Sequence, residues 1–308
     1  MDVGLVLGGL AVGFIVGLTG MGGGALMTPM LVFFFGVNPL AAVSSDLVTS
    51  AIMKPFGAVV HLRHGTVNRA LVGWLVLGSV PSAFLGVLVL RALGRDSGID
   101  EVVKTALGVA LLVAAFALIV KAYVTMAGRV RRRAEGVTEV VSTRGALNVV
   151  ARPLPTILIG VVGGLVVGMT SVGSGSLIII ALLVVYPRLQ ASQLVGTDLV
   201  QAVPLVASAA IGHLLFGDFQ LAVALSLVVG SIPGVLLGAV ASSRAPGGLI
   251  RRALALVLLA SGLKLLGVTT PITAVVLVVS LVLGPLAWMA ARRRNGLPAL
   301  RRAAVMSR

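Results

Sequence analysis

Two glycine-rich runs, 151 residues apart, interrupt apolar stretches otherwise suited to bilayer helices. The first is Gly17-Leu18-Thr19-Gly20-Met21-Gly22-Gly23-Gly24 and the second Gly168-Met169-Thr170-Ser171-Val172-Gly173-Ser174-Gly175. Gly17, Thr19, Gly22 and Gly24 return as Gly168, Thr170, Gly173 and Gly175 at that constant spacing. Glycine at this density unwinds a helix, because it has no Cβ and loses the most backbone freedom on ordering. Unwound backbone in hydrocarbon leaves N–H and C=O groups without partners. It is tolerated only where protein buries it or where it lines a polar cavity. A matched pair of such breaks is the best sequence pointer to a transporter's binding site.

Of the 308 residues, 58% are hydrophobic and 11% charged, with a mean hydropathy of +1.13. Soluble domains carry about a quarter charged residues. The deficit, with repeated apolar runs of about 20 residues, predicts an all-α polytopic membrane protein. The start, Met1-Asp2-Val3-Gly4, has no basic region ahead of the apolar run, so no cleavable signal is expected. The absence of cysteine excludes disulfides, thiolate metal sites, iron–sulfur clusters and Cys nucleophiles. Three histidines, none at metal-ligand spacing, predict no metal site, and nothing calls for another cofactor. The net charge of +15 sits in loops and tails between apolar spans, so it reads as topology and not as a nucleic-acid surface.

Apolar segments are predicted at 3–20 and 25–36, the latter too short to span alone. Spans follow at 40–62, started by Asn38-Pro39, at 70–92 with Pro81 inside, and at 102–123. The second half repeats the programme at 154–170, 176–186, 191–215, 219–241 and 253–267, and a last segment, 271–291, has no counterpart. The repeat reaches beyond the glycines. At a spacing of 152, Asp46-Leu47-Val48, His61-Leu62, Gly65, Gly78-Ser79, Pro81 and Gly86 return as Asp198-Leu199-Val200, His213-Leu214, Gly217, Gly230-Ser231, Pro233 and Gly238. The expected organisation is therefore a first transmembrane repeat over 1–124, a basic cytoplasmic linker over 125–152, a second repeat over 153–267, an extra transmembrane helix over 268–291 and a basic cytoplasmic tail over 292–308.

If each break bends into a re-entrant hairpin, each repeat has one hairpin plus three spans. Three is odd, so the repeats are predicted to be inverted. With the linker in the cytoplasm, 19 of the 24 Lys and Arg residues fall inside, three outside and two within spans. Single broken spans would make the repeats parallel and split the basic loops between the two sides. The positive-inside bias favours inversion, and a hydropathy count would give eight or nine helices.

The candidate site follows from the breaks. Short helices beginning near Gly24 and Gly175 would aim N–H groups and positive dipole ends at mid-membrane. Thr19, Gly22, Gly23, Gly24, Thr170, Ser171, Gly173, Ser174 and Gly175 form these donor-rich tips, and Ser176, Ser45 and Thr197 add hydroxyls. The bland alternative is that the glycines serve only close helix packing. Lys54, near the centre of a span, is expensive there and calls for a partner or a job. That job is either to attract the anion or to pair with Asp46. Asp46 and Asp198 occupy matching places and would either couple transport to a cation or hydrogen-bond the unwound hairpins; Gln201 and Gln193 carry the same ambiguity. His61 and His213 lie at span ends, as protonatable gates or as interfacial caps. An enzyme is not expected: no Walker or Rossmann loop is present, and Gly173-Ser174-Gly175 is no nucleophile elbow.

The first break, Thr28-Pro29, Ala42-Val43-Ser44-Ser45-Asp46, His61 and Gly65 resemble the TauE/SafE family of sulfite-exporter-like permeases. Gly173-Ser174-Gly175, Gly196-Thr197-Asp198 and Gly230-Ser231-Ile232-Pro233 fit the same pattern, so the resemblance covers residues 4–267. It implies a multi-pass plasma-membrane permease for sulfite, sulfoacetate or other organosulfonates. The expected function is a secondary transporter moving such an anion outward between the two breaks. The alternatives are an anion channel with the same donors or a non-transport intramembrane protein. The expected partners are a small anionic substrate, the lipid bilayer and a second copy in a homo-oligomer.

Overall fold

The computed structural model describes residues 2–19, 23–63, 65–93, 98–134, 149–187, 189, 191–241 and 247–294. Among them run eleven helices and no strand: α1 Val3–Thr19, α2 Gly24–Phe34, α3 Pro39–Arg63, α4 Arg69–Leu93, α5 Ile99–Ala134, α6 Pro153–Thr170, α7 Leu177–Val185, α8 Ala191–Phe216, α9 Leu221–Ala241, α10 Gly247–Leu265 and α11 Thr270–Arg294. Their starts follow from local chemistry. Asn38 Oδ1 accepts the Leu40 N–H at 3.0 Å and Pro39 takes the first helical position. Asn68 caps α4 through the Leu71 N–H in the same way, at 3.2 Å.

Two boundaries differ from expectation. α5 continues to Ala134, through the first part of the segment read as linker, because its arginines and alanines are good helix formers. α10 begins earlier, at Gly247, and ends at Leu265. Lys264 therefore sits exposed in its last turn, donating to Thr270 Oγ1 at 2.9 Å, and not within a span. Among the described residues six helices are long and apolar enough to cross a membrane, and α1 and α2 are shorter apolar helices. α3 has the length, but Asp46, Lys54 and its hydroxyl residues dilute its apolar character.

The halves exchange partners. The first helix of each half packs on the fourth helix of the other, α1 on α9 and α4 on α6. Small residues make the approach possible. A Cβ on Gly9 or Gly13 would meet the backbone of Leu227 or Ser231, and on Gly160 or Gly164 that of Leu75 or Ser79. Residue numbers rise together along both pairs, so each pair is parallel. α3 and α8 run antiparallel: Ser44 meets His213, while Gly196 lies against Thr66 and His61. α5 packs on α10.

Each glycine run is a hairpin bend. α2 returns along α1, so that Gly4 and Gly8 lie beside Phe35 and Met30. α7 returns along α6, and Tyr186 Oη accepts the Arg152 N–H at 2.8 Å and meets Thr156 Oγ1 at 2.6 Å. The largest apolar core, including Leu47, Leu75, Ile178, Ile179, Leu182 and Leu205, wraps the second hairpin with α3, α4 and α8. α11 packs chiefly on α10 and exposes Val275, Val278 and Leu281, as expected of a lipid-facing helix.

Candidate functional site

The two bends meet. Gly24 opens α2 and lies so close to Ser171 that a Cβ would collide with the Ser171 carbonyl oxygen. The second bend needs unusual backbone: Ser171 has φ 60°, Gly173 φ 135° and Gly175 φ 91°. Only glycine adopts the last two without strain. Thr170 shapes the turn, since its hydroxyl donates to the Val166 carbonyl at 2.6 Å and accepts the Val172 N–H at 3.2 Å.

Three ionisable side chains, all buried, surround the junction near the middles of α3 and α8. Asp46 is 0% exposed, Asp198 1% and Lys54 5%. Asp46 Oδ2 accepts hydroxyl bonds from Thr28 of α2 at 2.8 Å and from Ser171 at 2.7 Å. Its Oδ1 accepts a third from Ser50 at 3.3 Å. One carboxylate thus ties α2, α3 and the second bend together. Lys54 Nζ donates to Ser174 Oγ at 2.6 Å, also in the second bend. Asp198 Oδ1 accepts from Gln201 Nε2 at 3.0 Å, and the Gly175 N–H acts on this carboxylate electrostatically. Gln201 Oε1 accepts from Ser79 Oγ at 3.3 Å, which links α4 to the cluster. Both carboxylates act electrostatically on the Lys54 ammonium. Lys54 does not snorkel to an interface; it is a buried cation held on a hydroxyl between two acids.

Other candidates are sorted by geometry. Ser45 Oγ and Ser176 Oγ are buried without a hydrogen-bond partner. Each leaves a polar group unsatisfied, one next to Asp46 in sequence and one at the N-cap position of α7, at a cost that a ligand would offset. The N–H groups expected to be free at the start of α7 are not. Those of Ser176, Leu177 and Ile178 turn onto the Gly173 carbonyl at 3.3, 3.0 and 3.3 Å. In α2, Leu26 and Met27 turn onto Gly23. Hydroxyls and the ammonium therefore carry more of the donor role. Thr19 spends its hydroxyl on the Ile15 carbonyl at 2.8 Å. Thr197 accepts the Asn68 N–H at 3.1 Å and so anchors the start of α4, away from the bends. Gly22 lies outside the described residues.

The histidines divide. His61 is half-buried and meets Thr66 Oγ1 at 3.0 Å. His213 was expected at an interface but is fully buried. Its Nε2 lies 2.8 Å from the Gly168 carbonyl, so Nε2 donates. In the neutral ring Nδ1 is then left to accept from Ser44 Oγ, 2.8 Å away. It joins α8, α3 and the helix leading into the second bend. The reading from sequence missed Thr28, Ser50 and Ser79 as partners of the cluster. A signal existed for Ser50: Asp46, Ser50 and Lys54 are spaced by four and so share one helix face.

The family model for the sulfite exporter TauE/SafE matches residues 5–265. A Bacillus subtilis protein named "Probable membrane transporter protein YjnA" is 42% identical over 267 residues, 86% of this chain and all of that protein. A second from the same organism, "Probable membrane transporter protein YdhB", is 22% identical over 82% of this chain and 96% of its own. "Probable membrane transporter protein YunE" matches at 36% over 27% of this chain and 29% of its own. No solved structure matches.

Proposed function

The chain belongs to the TauE/SafE sulfite exporter family and is a multi-pass membrane transporter, not an enzyme; from that premise we propose that it carries small sulfur-containing oxyanions, such as sulfite or organosulfonates, out across the plasma membrane. The anion binds where the two bends meet. Lys54 supplies the charge, and Ser174, Ser176 and Ser45 supply hydroxyls. The observation that carries this reading is the buried Lys54 ammonium held on Ser174 of the second bend; Ser45 in α3 and Ser176 at the start of α7 are buried hydroxyls without a partner. A buried, donor-rich site suits a desolvated oxyanion, because charge-assisted hydrogen bonds replace its water.

The repeats are inverted in this proposal. Equivalent helices α3 and α8 pack antiparallel, and α1 and α4 each pack parallel to the fourth or first helix of the other half, which supports a pseudo-two-fold axis in the membrane plane. The hairpins are re-entrant from opposite sides, and access alternates by rocking one repeat on the other.

Counterflow of labelled sulfite in proteoliposomes, with a panel of competing anions, tests the function. Saturable counterflow with sulfonate competition is the expected result. Flux without counterflow would make the protein a channel, and no flux of either anion class would sink the transport reading. The chain lacks cysteine, so single Cys residues at Val37 and Arg188 test the inversion by labelling from opposite sides.

A further inference from the structure

Charge counting at the junction exposes a difficulty for any anion. Two carboxylates and one ammonium, all ionised, leave the cluster at net −1 before a ligand arrives. The charged groups bearing on its members are few. Lys54 acts on both Asp46 and Asp198, and Lys121 of α5 acts more weakly on Asp198. His61 of α3 lies against Gly196, two residues before Asp198, and His213 is committed to Ser44, two residues before Asp46, and to Gly168. A monoanion entering this site would meet a net like charge in a low-dielectric setting, where repulsion is strong.

We infer that the anion crosses together with one proton, and that Asp198 carries it. This rests on the transport reading above. The two acids are held differently. Asp46 takes three hydroxyl bonds that join α2, α3 and the second bend, so it is an acceptor whose ionised form holds the junction together. Among the described residues the side-chain hydrogen bond to Asp198 comes from Gln201 of its own helix, so its carboxylate retains lone pairs to take up a proton. A proton fits better than a metal cation. Thr28, Ser50, Ser171 and Gln201 direct donors at the two acids, and no group of three His, Cys, Asp or Glu gathers among the described residues. The anion and the proton enter from one side, Asp198 is neutral while the anion lies on Lys54, and both leave on the other side. The empty carrier returns with Asp198 ionised beside Lys54. Each cycle with a monoanion is electroneutral, so the membrane potential drops out and export is driven by the outward anion gradient against any outside-acid pH gradient.

The test uses proteoliposomes loaded with a pH-sensitive dye and an inward gradient of methanesulfonate, a probe whose charge does not change between pH 5 and 8. In the wild type, anion entry should acidify the lumen one for one. Clamping the potential with potassium and valinomycin should change the rate less than about twofold, and replacing sodium by choline should do the same. Counterflow should fall as pH rises from 6 to 8, by at most about tenfold per pH unit, the limit of a one-proton requirement. In Asp198→Asn, counterflow is reduced but its pH dependence flattens and the proton signal falls to background. Asp198→Glu keeps a titratable carboxyl and should keep the signal. Anion flux without acidification, a rate that follows the potential, dependence on sodium, or a proton signal surviving in Asp198→Asn would each overturn the inference while leaving transport standing. Absent counterflow of both methanesulfonate and sulfite would overturn the transport reading, and the coupling with it.

Discussion

Gly13 and Gly164 occupy equivalent places in the two halves, and each presses on an equivalent serine of the other half, Ser231 or Ser79. Lys54, Ser50, Thr28 and Ser44 also have equivalents, but these are Val206, Ala202, Ile179 and Gly196. The helix seams are therefore duplicated and the polar cluster is not. The physical reason lies in where each sits. A seam occurs twice, so both copies need their small residues. In the proposed site a ligand at the junction occurs once, and a second buried ammonium facing Lys54 would add repulsion and another desolvation cost. The two acids, Asp46 and Asp198, survive in both halves but are held by different partners.

That comparison breaks most readily at the seams. Gly13→Leu and Gly164→Leu each drive a side chain into backbone, a strain of about 3 kcal/mol or more. Both should abolish monodisperse protein on size exclusion. A half that tolerates its leucine would show that the seams are not equivalent. At the junction the expectation is reversed: Lys54→Gln should lower sulfite counterflow on the order of a hundredfold, about 2.7 kcal/mol, while Val206→Ala stays within about twofold. Asp46→Asn removes a charged acceptor from three hydroxyls and should destabilise the protein by about 1.5–3 kcal/mol, read as a lower Tm in detergent. The smallest contrast is between the histidines. His213→Ala strands the buried Gly168 carbonyl and should cost about 1–3 kcal/mol, whereas His61→Ala, half-exposed, should stay within about 0.5 kcal/mol.

The helix layout was legible because apolar runs and breakers were strong: Asn38-Pro39 starts α3 where expected, and the two glycine runs end α1 and α6 within a residue of the sequence reading. The length of α5 was not, since an arginine run reads equally as a solvated linker and as the end of a long helix. His213 was misplaced because a position at a span's end says surface, and only tertiary packing puts α3 and α6 over it. Hydroxyls were the least legible. Thr19 and Ser171 occupy similar glycine-rich sequence, yet one bonds its own helix and the other crosses to Asp46. That choice depends on the neighbouring half, which no local pattern encodes. Lys54 announced itself by its cost in a span, and the structure adds its partner.

Equilibrium binding of sulfite to the purified protein, compared between the wild type and Lys54→Gln, tests the central claim most directly. Gln keeps an N–H donor and removes the charge, on a side chain one atom shorter. The account predicts saturable binding in the wild type and at least a tenfold loss of affinity in the variant, with thermal melts showing that both are folded. Unchanged affinity in folded Lys54→Gln would place the anion elsewhere and contradict a site built at the meeting of the two bends.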